Sequence, residues 1–329
     1  MKVAYYINKD YHTSLKHYAQ QLGVKYAVAN TCEESTAYAP YAHPWDYEVM
    51  RARYQDLKDF GMEWKVYEGV SFIDGVKLGN KETRDEEIEH FKTLIKNCSL
   101  LGIDTICYNW MPVWGWFRTH VNLPLEGGAT STGFKWETAK DIPDCGVKIT
   151  KQELWDNLEY FLKAVVPTAE EYKVKLAVHP DDPPVDYLGG LERILTSADA
   201  MEKVTQLVPS PYNGITLCQG TFATMGEDIE ASIRRFAANK TLFFMHFRDI
   251  KGDKNDFQET FHHNGKTDMY NAMKTYYEVG FDGCVRPDHV PTMYGDNNDM
   301  PSYAILGNLV ATGYMYGLME AIEKELEGK

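Results

Sequence analysis

Four residues that commonly bind divalent metals each end or closely follow a short apolar run. They are His179 after Leu-Ala-Val, Cys218 after Ile-Thr-Leu, His246 after Phe-Phe-Met, and Asp288 three residues beyond Val285. Imidazole, thiolate and carboxylate are the usual donors to such metals, and four of them leave positions for substrate oxygens on a six-coordinate ion. The pattern predicts a metal site if the fold brings the four residues together.

Taken singly, each of these residues also has a structural interpretation. A lone histidine at a strand end is more often a hydrogen-bonded structural residue than a ligand. A buried cysteine such as Cys218 is usually part of a core. The joint pattern favours a metal site, because chance would not place donors at four consecutive strand ends.

Three further residues could contact a substrate. Arg118 and Arg248 could each bind a carboxylate with two hydrogen bonds, or could form ordinary ion pairs with Asp or Glu. Asn109 could bind a substrate hydroxyl or simply end its strand. We predict all three as substrate-binding residues.

Two other segments leave the choice between site and surface more open. Glu68 ends an alternating run and is equally compatible with a site carboxylate and a solvated one. Residues 262–265, His-His-Asn-Gly, are typical of a turn, and a substrate contact by Asn264 is the second interpretation. We include Asn264 among the predicted substrate-binding residues.

The elements that must position these residues alternate between strand and helix. Apolar residues at helical spacing predict eight helices, and residues 150–153, Thr-Lys-Gln-Glu, have the capping-box pattern of a helix start. The alternation favours a single (β/α)8 TIM-barrel domain over residues 1–329, rather than a doubly wound sheet, and such barrels collect catalytic groups at the carboxyl ends of their strands. The eight predicted strands are residues 2–7, 25–29, 63–68, 104–110, 175–178, 214–218, 241–245 and 284–286.

The alternation stops between residues 111 and 149, after the fourth predicted strand. This segment has no convincing periodicity, and it contains Trp114, Trp116, Trp136 and a Gly-Gly pair. A loop this long in a compact domain is usually functional or disordered. Its aromatic content predicts an ordered lid over the active site.

Composition and charge narrow the class of protein. With 44% hydrophobic and 25% charged residues the chain is globular, and a formal net charge of -14 argues against nucleic-acid binding. No apolar run approaches a membrane span, and the N-terminus is too polar for a signal peptide, so we predict a cytoplasmic protein. The six cysteines form no C-x-x-C pair, which favours reduced thiols. A homo-oligomer is expected, since soluble enzymes commonly form one.

Several segments of the chain resemble the mannonate dehydratase family. The resemblance runs from about the third strand to the last helix. It is carried by residues 107–113 (Cys-Tyr-Asn-Trp-Met-Pro-Val), 116–119, 179–184 (His-Pro-Asp-Asp-Pro-Pro), 264–270, 286–289 (Arg-Pro-Asp-His) and Tyr303.

The resemblance implies a xylose-isomerase-like TIM barrel that dehydrates D-mannonate to 2-keto-3-deoxy-D-gluconate in hexuronate (glucuronate) catabolism. It also implies catalytic roles for His289 and Tyr303. A thiolate ligand suits Zn²⁺ at least as well as Mn²⁺, so Zn²⁺, Fe²⁺ or another divalent metal is the alternative to Mn²⁺. The implied Mn²⁺ ligands are the four residues selected above, His179, Cys218, His246 and Asp288.

The implied reaction removes water across C2 and C3 of an aldonic acid. With an unperturbed pKa near 6.5, His289 can take the C2 proton, whereas Tyr303, near 10, stays protonated and suits the departing 3-hydroxyl. The swapped assignment is the alternative. In this hypothesis Arg118 or Arg248 orients the substrate carboxylate.

Three departures from the family pattern lie near the predicted pocket. Residues 111–116 read Met-Pro-Val-Trp-Gly-Trp where the family commonly has Met-Pro-Val-Leu-Asp-Trp, and residues 219–221 read Gln-Gly-Thr instead of Thr-Gly-Ser. The segment between Thr119 and Thr150 is also shorter than in many members. Another aldonate is therefore an alternative substrate.

Two other functions are compatible with such a barrel. A metal-dependent sugar isomerase or epimerase would also begin with proton abstraction, but would return the proton instead of expelling hydroxide. A non-catalytic sugar-acid-binding barrel is the third alternative. Retention of the four ligands, His289 and Tyr303 argues against it.

Overall fold

The structure is a computed structural model that describes residues 1–8, 12–31 and 42–328. Eight parallel strands close into a barrel in the order β1-β2-β3-β4-β7-β10-β11-β14, which confirms the predicted TIM barrel. The strands of the described residues are β1 (Lys2–Tyr6), β2 (Tyr26–Ala29), β3 (Glu63–Glu68), β4 (Thr105–Asn109), β5 (His120–Pro124), β6 (Thr130–Lys135), β7 (Lys175–His179), β8 (Tyr187–Leu188), β9 (Leu191–Glu192), β10 (Asn213–Cys218), β11 (Leu242–Phe247), β12 (Ile250–Gly252), β13 (Asp256–Glu259) and β14 (Cys284–Pro287).

Helices follow the barrel strands and cover the barrel from outside. The predicted capping box is confirmed, since Thr150 Oγ1 accepts the Glu153 N–H and the Glu153 carboxylate accepts the Thr150 N–H. Within the described ranges, no helix combines the length and the apolar character that a membrane span requires. The helices are α1 (Thr13–Leu22), α2 (Tyr47–Asp59), α3 (Asp74–Lys77), α4 (Arg84–Leu101), α5 (Trp136–Ala139), α6 (Lys151–Tyr172), α7 (Ala198–Leu207), α8 (Gln219–Met225), α9 (Ile229–Ala238), α10 (Met269–Glu278) and α11 (Ile305–Leu326).

The register of the parallel strands brings polar residues to one end of the barrel. Asn109 pairs with His179, Cys218 with His246, and His246 with Arg286 on neighbouring strands. Because all eight strands point the same way, their carboxyl ends meet at one face. Residues far apart in sequence therefore become neighbours there.

Residues 111–149 differ from the expected irregular loop. They contain β5 and β6, which join the hairpin β12–β13 in an antiparallel sheet of order β12-β13-β6-β5. We did not predict that hairpin, which follows β11. The strands are short and pair with a distant segment, as Phe134 does with Phe257, so local periodicity does not reveal them.

The cysteines of the described residues are unpaired. Cys98, Cys107, Cys218 and Cys284 are buried, as expected for small apolar side chains, and Cys145 is partly exposed. Cys32 lies outside the described residues.

Candidate metal centre and active site

The four predicted metal ligands meet at the carboxyl ends of β7, β10, β11 and β14. His246 Nδ1 lies 3.2 Å from His179 Nε2 and 3.4 Å from Asp288 Oδ2. Cys218 Sγ lies 3.7 Å from the same Asp288 oxygen, and His179, Cys218 and His246 have donor atoms within 4.8 Å of one another. Donors that share a metal at about 2.0–2.3 Å stand about 3–4 Å apart, so the spacing fits one divalent ion.

Hydrogen-bond partners turn both imidazoles toward that point. His179 Nδ1 lies 2.7 Å from the carbonyl oxygen of Pro180. His246 Nε2 lies 3.0 Å from Glu68 Oε1, although its N–H is not well aligned on that oxygen. Since a carbonyl and a carboxylate can only accept, these nitrogens carry the hydrogens. The other nitrogen of each ring faces the remaining predicted ligands, and it offers a lone pair to a metal when the ring is neutral.

The two remaining ligands are held in their anionic forms. Burial raises the pKa of the Cys218 thiol, but Arg248, His179 and His246 outweigh it, and the pKa lies well below its usual value. Burial likewise opposes ionisation of Asp288, yet Arg286 and the nearby histidines hold its pKa well below the usual range. A thiolate and a carboxylate are the forms that bind a metal.

The two predicted catalytic residues face each other beside the ligands. The rings of His289 and Tyr303 lie 5.6 Å apart, centroid to centroid, in an edge-to-face arrangement. His289 Nε2 lies 3.6 Å from Asp288 Oδ1, and its Nδ1 lies 2.9 Å from Glu259 Oε1. Burial, and then the charge of Asp288, raise the pKa of Tyr303 far above its ordinary value. The phenol is therefore protonated at neutral pH.

The backbone at His289 is strained. Its φ of 45° lies in the left-handed region, which residues other than glycine rarely adopt. Hydrogen bonds on both sides hold it there, from Asp288 N to Phe247 O at 3.0 Å and from Val290 N to Ser302 O at 2.8 Å. Such strain is common at active sites, where the surroundings fix an unfavourable conformation.

Two of the residues that sequence left open line the cavity above the ligands. The Asn109 Oδ1 accepts from Lys77 Nζ at 3.2 Å and from the Met111 N–H at 3.1 Å, which leaves the amide N–H groups of Asn109 for a ligand. Glu68 also borders the cavity, so the site interpretation of this carboxylate holds and the solvated one is wrong. Burial would raise the pKa of Glu68, but Arg286 and His246 outweigh it and lower the pKa to about 2.

Three of the predicted substrate-binding residues do not border the cavity. Arg118 and Arg248 are buried beside the cavity, and both guanidinium groups are engaged with Asp182 and Glu259. These buried pairs leave no free N–H fork for a substrate carboxylate. Asn264 is exposed in the predicted turn, where its Oδ1 accepts from Lys251 Nζ at 3.1 Å. The structure does not bring these residues to the substrate cavity.

Sequence reasoning missed several groups of the site. Arg286 borders the cavity, donating to both oxygens of Glu68 at 2.9 Å and to Asp288 Oδ1 at 2.7 Å. Its position two residues before Asp288 was the available signal. Glu259 lies on the unpredicted strand β13, and no local pattern marks it.

The cavity, counted together with the open solvent at its mouth, has a volume of about 500 Å³. Trp116, from the predicted lid segment, borders it with its ring 5.3 Å from that of His289. Trp114 does not border it, because its indole N–H donates to the carbonyl of Gly189 at 3.0 Å. The two tryptophans of residues 111–116, the segment that departs from the family pattern, therefore differ: Trp116 borders the cavity and Trp114 does not.

Comparisons with known proteins agree with this geometry. A mannonate dehydratase of Streptococcus pneumoniae is 34% identical over 310 residues, which are 86% of this chain and 84% of that protein. The crystal structure of the mannonate dehydratase from Streptococcus suis serotype 2 superposes with a TM-score of 0.90 at 33% identity, covering 100% of this chain and 95% of that one. A D-tagatose 3-epimerase-like protein, 14% identical with a TM-score of 0.64, covers 99% of this chain and 100% of its own, and shares the fold alone.

A family profile described as D-mannonate dehydratase (UxuA) matches residues 1–145 and 140–329. Together the two ranges span the whole sequence. The chain therefore belongs to the D-mannonate dehydratase family, and the sequence-based predictions of that family and of a hydro-lyase are confirmed.

Proposed function

We propose that this protein dehydrates D-mannonate to 2-keto-3-deoxy-D-gluconate and water. One observation carries the proposal: the pair His289 and Tyr303 faces the same cavity as three of the metal-type donors, which are His179, His246 and Asp288. Among the donors, His246 Nδ1 lies 3.4 Å from Asp288 Oδ2. His289 is the next residue in the sequence after Asp288, and its ring packs against the ring of Tyr303. The arrangement supplies the charge stabilisation and the base and acid that a β-elimination of water needs.

The residues that would hold the metal are His179, Cys218, His246 and Asp288. A bound divalent ion supplies a Lewis acid that stabilises negative charge developing at C2 beside the substrate carboxylate. The family suggests a divalent metal, and we propose Mn²⁺. Because Cys218 is a soft ligand, Zn²⁺ and Fe²⁺ are the ions to compare.

The charges of the site support a divalent cation. Among the described residues that form it, five buried anionic groups face three buried guanidinium groups. Burial lowers the pKa of His246, but Glu68 and Asp288 outweigh it and raise the pKa well above its usual value, so the cluster holds a positive charge at His246 and still has an excess of anionic groups. An anionic sugar acid would meet net repulsion without a cation that balances this excess. The groups counted are Glu68, Asp182, Cys218, Glu259 and Asp288 against Arg118, Arg248 and Arg286.

The chain's own residues move the protons. His289 Nε2 first takes the proton from C2, and the negative charge left at C2 is delocalised into the adjacent substrate carboxylate. The electron pair then forms the C2–C3 double bond as the C3–O bond breaks. Tyr303 gives its phenolic proton to the departing oxygen, which leaves as water. The resulting enol takes a proton at C3 from solvent and gives up its 2-hydroxyl proton to solvent, which yields the 2-keto acid. The phenolate recovers its proton from His289.

The experiment that tests this proposal is mass-resolved turnover of D-mannonate by chelated enzyme, before and after Mn²⁺ is added. We expect no conversion without metal and, with Mn²⁺, loss of one water to a 2-keto-3-deoxy acid. A product of unchanged mass would instead indicate an isomerase or epimerase. Conversion of another aldonate only would move the substrate assignment, and no conversion of any aldonate would leave a binding protein.

Four finer predictions accompany this function and are tested separately. Activity after reloading with equal occupancies of Mn²⁺, Zn²⁺ and Fe²⁺ identifies the preferred metal. Fractionation of cells tests the cytoplasmic location, and growth of a deletion strain on glucuronate tests the role in hexuronate catabolism. Sedimentation velocity tests the homo-oligomer.

A further inference from the structure

Four charged side chains form a closed ring beneath the cavity, which we term the buried ion quartet: Arg118, Asp182, Arg248 and Glu259. Arg118 donates to both oxygens of Asp182 at 2.7 and 2.9 Å, and Arg248 donates to both oxygens of Glu259 at 2.8 and 2.6 Å. Arg118 also reaches Glu259 at 2.6 Å, and Arg248 reaches Asp182 at 2.7 Å. Each side chain is at most 1% exposed.

A buried ring of this kind is costly to form, since each charge must be withdrawn from water. Its members come from four separate segments: the start of the antiparallel sheet, the connections after β7 and β11, and the end of β13. Of the four, only Asp182 borders the cavity, so direct substrate binding does not explain Arg118, Arg248 and Glu259. It reaches the reacting region through Glu259, whose Oε1 lies 2.9 Å from His289 Nδ1.

The protonation state of Glu259 decides what that contact is. Burial would raise the pKa of Glu259, but Arg248, the hydrogen-bonded His289 and Arg118 outweigh it and lower the pKa to about 2. An ionised carboxylate can only accept a hydrogen bond. The hydrogen therefore resides on His289 Nδ1, and Nε2 on the far side of the ring keeps the lone pair.

A second contact of His289 Nδ1 also supports placing the hydrogen on this nitrogen. Arg118 Nη2 lies 3.3 Å from His289 Nδ1, a longer separation than the one to Glu259. If Nδ1 accepted from Arg118, its lone pair would also face the Glu259 carboxylate, which is repulsive. The ring is thus turned with Nε2 toward Asp288 and the predicted metal centre, at 3.6 Å from Asp288 Oδ1.

The geometry points to Glu259 as a positioning residue that fixes the tautomer and orientation of His289, with the buried ion quartet holding Glu259 in place. This inference rests on the proposed function, in which His289 Nε2 takes the C2 proton. Glu259 also stabilises the imidazolium that forms when the proton arrives, because its negative charge is fixed beside Nδ1. The arginines predicted to bind substrate therefore act indirectly, by holding the Glu259 carboxylate that contacts His289.

The decisive experiment is a double-variant cycle on the metal-loaded enzyme, with Glu259→Gln, His289→Gln and the combination. We expect Glu259→Gln alone to lower kcat by at least about 100-fold, with KM and the dissociation constant of the metal changed less than about threefold. In the His289→Gln background the same change should have no further effect, because the group that it positions is gone. Equal losses in both backgrounds would overturn the inference.

Asp182→Asn is the matched control for damage to the quartet. It removes one charge from the same ring but does not touch His289. We expect a smaller loss of kcat than in Glu259→Gln at a similar loss of stability. Because Asp182 also borders the cavity, the tautomer of His289 decides between the two variants: if both change it equally, the role of Glu259 is structural only.

A spectroscopic measurement keeps the inference testable if the proposed function fails. Long-range ¹H–¹⁵N correlation spectra of ¹⁵N-histidine-labelled enzyme, loaded with diamagnetic Zn²⁺, report which nitrogen of each ring carries the hydrogen. The His289 signals are those missing from His289→Gln. We expect hydrogen on Nδ1 in the parent and in Asp182→Asn, and a mixture of tautomers in Glu259→Gln. Hydrogen on Nε2 in the parent would overturn the inference, whatever the substrate.

Discussion

His246 Nε2 and Glu68 Oε1 lie 3.0 Å apart, on the edge of the imidazole opposite the one that faces His179 and Asp288. Glu68 is fixed in turn by Arg286, whose Nε and Nη2 each donate to one of its carboxylate oxygens at 2.9 Å. A carboxylate behind a ligating histidine sets its tautomer and raises its basicity. Glu68 therefore contacts one nitrogen of His246 and positions that ring in the same way as we infer for Glu259 and His289.

We therefore predict that Glu68→Gln weakens metal binding. The glutamine keeps the shape but loses the charge that favours hydrogen on Nε2, and the loss of affinity should be about 10-fold to 100-fold. Titration calorimetry with Mn²⁺ and Zn²⁺ measures it. Glu63→Gln, an exposed change at the other end of β3, is the control and should bind metal as the parent does. Equal affinities in all three proteins would contradict the prediction.

The metal-type donors could be predicted because the geometry of a barrel brings them together, although no local sequence motif does. His179, Cys218, His246 and Asp288 end or follow four parallel strands, and parallel strands bring their carboxyl ends to one face. The structure places their donor atoms together. Each prediction needed only its own strand end and the general rule for the fold.

The substrate contacts predicted for Arg118 and Arg248 are not found, because the partners of these arginines come from distant segments that no local pattern reveals. A guanidinium group can bind any carboxylate in reach, and the partners of Arg118 and Arg248 come from other connections. Glu259 stands on β13, which pairs with β6 from a distant part of the chain, so no periodicity near either segment predicts the contact. Asn264 was selected from a motif, but its turn directs the side chain to Lys251 and solvent.

The order of proton transfers can be tested with Tyr303→Phe. This change removes the phenolic proton donor but leaves His289 and its contact with Glu259 in place. We expect dehydration to fall by at least about 100-fold, while the C2 hydrogen of unreacted mannonate still exchanges with D₂O. His289→Gln should lose both activities. Exchange lost in Tyr303→Phe and kept in His289→Gln would instead assign the base to Tyr303. Proton and deuterium spectra of the recovered mannonate measure both quantities.

The stability of the fold should depend on His12 in mildly acidic solution. Burial lowers the pKa of His12 to about 4, and its ring bonds the Asn8 N–H through Nδ1 and the carbonyl oxygen of Tyr303 through Nε2. The unfolded chain has the ordinary pKa near 6.5, so between about pH 6.5 and 4 it binds more protons than the folded protein. Stability is full above that window and falls with decreasing pH, by up to about 1.4 kcal/mol per pH unit for one proton.

His12→Gln removes this titration. In urea unfolding at several pH values, the parent should lose stability faster than the variant between about pH 6.5 and 4. The groups common to both proteins cancel in the difference. Parallel curves over the window would mean that His12 is not held neutral in the fold.

The buried ion quartet should make Arg118 far more important for stability than an exposed arginine. Arg118→Met keeps much of the side-chain volume but leaves Asp182 and Glu259 with one guanidinium between them. Breaking a buried ion pair on one side commonly costs about 3–5 kcal/mol, because the remaining charge is still desolvated. We expect a loss of that order in urea unfolding.

Arg51→Met, which breaks an exposed pair with Glu48 at one helical turn, is the matched control and should leave the unfolding midpoint unchanged. Similar midpoints for the two variants would show that water enters the quartet and screens its charges.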